Sequence, residues 1–144
     1  MDFRAENKGQ TDRLRSLLGR LDPSLWRKDI GGGWTIGTMI VHLAFWEKMT
    51  QIRIEKWTSS GVLTAVPDGD NVFAINDSIR EISAGIEFQA GAKMAVEAFE
   101  SMDQLVSKLD ASRLAELERT GRDRWFKRFL HRDAHLTRIE KSVG

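Results

Sequence analysis

The chain has no cysteine, which excludes a disulfide framework, a thiolate metal cage and a cysteine nucleophile. Any bound metal is restricted to imidazole, carboxylate and water ligands. No apolar run approaches the length of a membrane span, and the N-terminus, Met1-Asp2-Phe3-Arg4-Ala5-Glu6, is charged where a signal peptide is apolar. The expectation is a cytoplasmic protein with no membrane partner. Excess charge is lacking too: the net value is +1, so nothing global argues for nucleic acid. The basic residues Arg119, Arg122, Arg124, Lys127, Arg128 and Arg132 lack interleaved binding motifs and are not read as a nucleic-acid surface. No segment joins β-branched enrichment to strict alternation, so no sheet is expected. Internal repeats and low-complexity tracts are also missing. Histidine is scarce, at three in 144 residues.

What is present is ordinary for a soluble globule, 41% hydrophobic and 30% charged, and the length fits a single domain over 1–144. The apolar positions Phe3, Leu14, Leu17, Leu18 and Leu21 give a first helical stripe. Pro23 opens a short helical piece and Gly31-Gly32-Gly33 breaks the chain. Thr35 is placed to cap a second helix from Ile36 to about Trp57, whose apolar residues keep helical spacing for several turns. Thr58 to Asp70 reads as a loop, long enough to suggest a lid or binding loop. A shorter helix follows from a cap at Asp70 to about Ser83. The next runs from about Glu87 to Leu109, closed by Asp110-Ala111-Ser112. A weakly helical connector then leads to a last helix from about Asp123 to Val143. Four long helices and one shorter make an all-α antiparallel bundle.

The histidines stand out against this frame. His131 and His135 are four apart, so on a helix both imidazoles leave the same side. They flank the apolar stripe of Trp125, Phe129, Leu136, Ile139 and Val143, and share their strip with Arg124, Arg128 and Arg138. His42 shares the inward side of the second helix with Met39, Phe45, Trp46 and Met49, where each ring nitrogen needs a partner. Three neutral imidazoles meeting from two helices would bind a divalent metal and leave positions open for catalysis. The plainer reading is a hydrogen-bonded core histidine and a solvated pair.

The segment Trp34-Thr35-Ile36-Gly37-Thr38-Met39-Ile40-Val41-His42-Leu43 resembles the start of the second helix in DinB/YfiT-like proteins. His131-Arg132-Asp133-Ala134-His135-Leu136-Thr137-Arg138-Ile139 is similar to that family's closing motif of two histidines and an isoleucine. Val72-Phe73-Ala74-Ile75-Asn76-Asp77 is similar to the start of its third helix. The resemblance spans nearly the whole chain. It implies an up-down-down-up four-helix bundle with one extra shorter helix, and His42, His131 and His135 as ligands of zinc, nickel or iron. It also implies hydrolase activity or S-transfer from a low-molecular-weight thiol co-substrate.

Where the family often has glutamine, this chain has Arg138, and Arg128 and Arg124 lie on the same strip. Positive charge disfavours a bound cation unless an anion intervenes, which suggests an anionic small-molecule substrate. The simpler reading has these arginines in solvent, paired with surface acids. Asn76 touches a ligand or, more simply, ties two helices together. Trp34, Trp46 and Trp125 are most simply packing residues, with Trp46 also a candidate substrate contact. Glu47 and Asp133 project away from the histidines and are not read as ligands or bases. No residue is assigned as proton shuttle. The rival from another class is a non-catalytic binding or stress-response bundle, a homodimer in its simplest form, with hydrogen-bonded or vestigial histidines.

Overall fold

A computed structural model describes residues 2–144, and among them the protein is all-α apart from one small hairpin. Six α-helices appear where five were expected. Helix α1 (Phe3–Arg20) is capped by the Asp2 side chain, which accepts from the Arg4 amide. Helix α2 (Ile36–Ser60) starts at the expected cap: Thr35 and Thr38 form a reciprocal capping box that satisfies otherwise free amides of the first turn. It ends at Gly61, whose left-handed backbone (φ 75°) costs glycine nothing.

Helix α3 (Gly69–Ser83) is capped by Asp68, not Asp70. Helix α4 covers Phe88–Ser107. The stretch read as closing α4 instead opens a further helix, α5 (Ala111–Arg119), because the Asp110 side chain accepts from the Arg113 amide. The last helix, α6 (Phe129–Val143), begins six residues later than expected, after a 3-10 turn over Asp123–Trp125.

The hairpin corrects the expectation of no sheet. β1 (Asp29–Gly31) pairs antiparallel with β2 (Trp34–Thr35). Gly31, Gly32 and Gly33 all have positive φ, a run that only glycine adopts without strain, so the residues that break the helix pattern also build the turn.

Helix α2 is central: it packs on α3, α4 and α6, while α1 packs on α4 and α6. Trp26 wedges between α2 and α4. A methyl group on Gly37 or on Gly91 would come within 2.5 Å of its indole ring. Its Nε1 donates to the Ile86 carbonyl at 2.9 Å, so the buried polar atom is satisfied.

Two apolar clusters result. One holds Leu14, Leu17, Ile36, Ile40, Leu43, Phe99, Leu136 and Ile139, the other Ile54, Trp57, Met102, Val106, Leu117, Trp125 and Phe126. Between them on the same helices lie buried Asn7, Thr11, Glu47 and Arg132. Arg132 pairs with Glu47, donates from Nη1 to Asp103 at 2.8 Å and to the Asn7 carbonyl at 3.0 Å, and so binds α1, α2 and α4 to α6.

Candidate metal centre

The long apolar register of α2 carries His42 to the buried side of that helix, 4% exposed. His131 and His135 face it from adjacent turns of α6. Ring centroids are 5.4 Å apart for His42 and His131, 4.8 Å for His42 and His135, and 4.7 Å for His131 and His135. One ring nitrogen from each lies within 4.8 Å of the other two. Neither nitrogen of His42, nor Nδ1 of His131, has a protein partner. Buried imidazole nitrogens left without partners are costly, and that cost is relieved by a ligand to those atoms. The donor set is nitrogen only, which suits a transition-metal ion such as zinc, copper, nickel or iron.

The electrostatics keep these rings in the ligating form. Burial pushes the His42 pKa down to about 3, and the neighbouring His135 adds to this. Burial, Arg128 and the other two histidines push His131 down to about 2. His135 is lowered by burial and by Arg138. All three are therefore neutral at pH 7, so an incoming cation displaces no proton to reach a lone pair.

These rings open onto a cavity of about 400 Å³, whose lining also includes Trp46, Asn76, Arg128 and Arg138. Trp46 Nε1 donates to Asn76 Oδ1 at 2.8 Å, tying α2 to α3 across its wall. Val66 and Pro67, from the loop before α3, form another side.

The reading of the arginines as solvent-facing partners of surface acids is corrected for two of them. Arg128 is buried and donates from Nε to the fully buried Glu47 at 2.6 Å. Arg138 donates to the Ile30 and Gly31 carbonyls at 2.9 and 2.8 Å, pinning the hairpin against α6. Arg132, grouped in the sequence with the basic residues from Arg119 onward, is fully buried.

Sequence reasoning missed two contributors. Glu47, not read as a ligand, lies outside the histidine cluster and is fully buried, where its two oxygens take Arg128 and Arg132. Arg53 also lines the cavity. Its signal was present: His42, Trp46, Thr50 and Arg53 follow at helical spacing on one strip of α2.

A family model described as the DinB superfamily matches residues 7–138. No curated protein and no solved structure matches the chain.

Proposed function

The chain belongs to the DinB superfamily, and from that premise we propose that it is a divalent-metal-dependent enzyme acting on a small molecule held in the cavity beside His42, His131 and His135. The observation that carries this reading is the convergence of three neutral imidazoles, those of His42 and His131 with unpartnered buried nitrogens, on one cavity. Core histidines kept for stability alone normally hydrogen-bond to protein groups. The ion, when bound, supplies Lewis acidity, which serves hydrolysis and transfer from a low-molecular-weight thiol alike.

The rest falls to side chains of this protein. The pairs of Glu47 with Arg128 and Arg132 lock α6 against α2 and so fix the spacing of His42 from the other two ligands. Trp46 and Asn76 hold each other and present a rigid wall to the substrate. We also propose that α1, α2, α4 and α6 form the four-helix bundle, with α3 and α5 as additions to it. The packing of α1 on α4 and α6, and of α2 on the same two helices, supports that reading.

Protein purified without an affinity tag, stripped with chelator and reloaded with zinc, nickel or iron(II), tests the function. The assays are ester hydrolysis and conjugation of a low-molecular-weight thiol to an electrophile. Activity in one of them is expected to require metal and to be lost in His131→Ala. Equal activity before and after stripping would contradict the reading.

A further inference from the structure

The cavity carries a strong charge bias. Arg53, Arg124, Lys127, Arg128 and Arg138 line it, and among the described residues no aspartate or glutamate does. Three of these cations are already engaged. Arg128 is paired with Glu47, Arg138 is held by hairpin carbonyls, and Lys127 lies 3.5 Å from Asp123 and 3.9 Å from Glu118. The guanidinium groups of Arg53 and Arg124 have neither a hydrogen-bond acceptor nor a carboxylate among the described residues. Arg53 is half-buried and Arg124 exposed, and burial holds the Arg53 pKa below the usual arginine value with no anion to offset it.

The two lie toward one end of the cleft. His42 on α2 faces His131 and His135 on α6, and Glu47, further along α2, meets Arg128, which lies earlier in the chain than both histidines. The two segments are therefore antiparallel. Arg53, beyond Glu47, and Arg124, before Arg128, fall on the same side of that ion pair. Eleven residues of helix separate His42 from Arg53, about 16 Å along the axis. On α2, Trp46 and Thr50 lie between them, and the apolar side chains Trp125, Val66 and Val72 also line the cleft.

We propose that Arg53 and Arg124 form an anion-recognition end of this cleft, so that the ligand is an elongated molecule with an apolar middle and a terminal carboxylate or phosphate. This deepens the functional reading above and rests on its assignment of the cavity as the substrate site, but it does not need a metal. A half-buried guanidinium without an acceptor, as in Arg53, gains most from an anion that offers two oxygens to its fork of donors, and the exposed Arg124 adds a second cation on the same side. The apolar walls then take the chain of the ligand and direct its far end toward the histidines.

Chelator-treated protein titrated with hexanoate, hexyl phosphate, hexylamine and hexanol, followed by chemical-shift changes, tests this without metal. The expected result is saturable binding of hexanoate, hexyl phosphate or both at the Trp46 and Trp125 indoles, with none for the amine and alcohol. The stronger of the two anions identifies carboxylate or phosphate as the preferred group. Arg53→Gln and Arg124→Gln are each expected to weaken anion binding about tenfold, as loss of one charge-assisted contact implies, and Arg53→Lys to recover part of it. Binding of hexanol or hexylamine as tight as that of the anions, or no binding of any probe to the wild type, would overturn the proposal. So would undiminished anion binding in a folded Arg53→Gln/Arg124→Gln variant. Because the protein carries no metal in this test, failure of the metal site leaves its outcome unaffected.

Discussion

Arg132 has no solvent exposure, yet its guanidinium meets Glu47, Asp103 and the carbonyls of Asn7 and Phe99, and lies 4.2 Å from the Phe99 ring centroid. A charge survives in such a place only when its donors are spent on acceptors around it. Arg132→Met removes the cation and leaves Asp103 with the Thr11 hydroxyl alone and Glu47 with Arg128 alone. Loss of one member of a buried ionic cluster costs about 3–5 kcal/mol, so denaturant unfolding should show a loss of that order. A loss under about 1 kcal/mol would mean the cluster is not what joins α6 to the other helices. In the sequence this residue sits among arginines that look like a solvated face. Helical projection gives the direction of a side chain about its own axis, but not which acids of distant helices lie in that direction. The histidines were legible for the opposite reason: only three exist, and both helical segments that carry them had clear periodicity.

Elements were legible where their signals are local. Helix α2 announces itself with a threonine cap and several turns of unbroken apolar spacing. The start of α6 does not, because it is set from far away. Asn7 of α1 donates to the Phe126 carbonyl at 2.8 Å and accepts from the Phe129 amide at 2.9 Å, supplying from outside the cap that α6 lacks in its own sequence. The hairpin escaped notice because strands of two and three residues are too short to alternate. Interhelix spacing is set by small residues against Trp26. In Gly91→Ala the added methyl meets the indole at 2.5 Å, and neither the ring, packed edge-to-face on Phe88 with centroids 5.3 Å apart, nor the helix backbone yields cheaply. Overpacking of this kind costs about 1–3 kcal/mol, against the small gain alanine gives in an exposed helix. Thermal unfolding should therefore show a lower midpoint for this variant, and an unchanged or raised midpoint would contradict the wedge.

At the scale of the whole molecule, two apolar clusters stand either side of a buried polar layer, and the cavity opens along the seam of α2 and α6 that this layer holds together. Stability and the proposed site thus share a boundary: Glu47 and Arg128 pair α2 with α6, and Arg128 also lines the cavity. Among the described residues no helix is long and apolar enough to cross a membrane. A metal centre built on this seam requires one ion shared between α2 and α6. Metal affinity of tag-free protein measured for the wild type, His42→Ala and His135→Ala tests this most directly. One divalent ion per chain is expected for the wild type, with affinity reduced by at least tenfold in both variants, since each removes one of three ligands. Undiminished affinity in His42→Ala, with loss confined to His135→Ala, would show that α2 contributes no ligand and would contradict the shared centre.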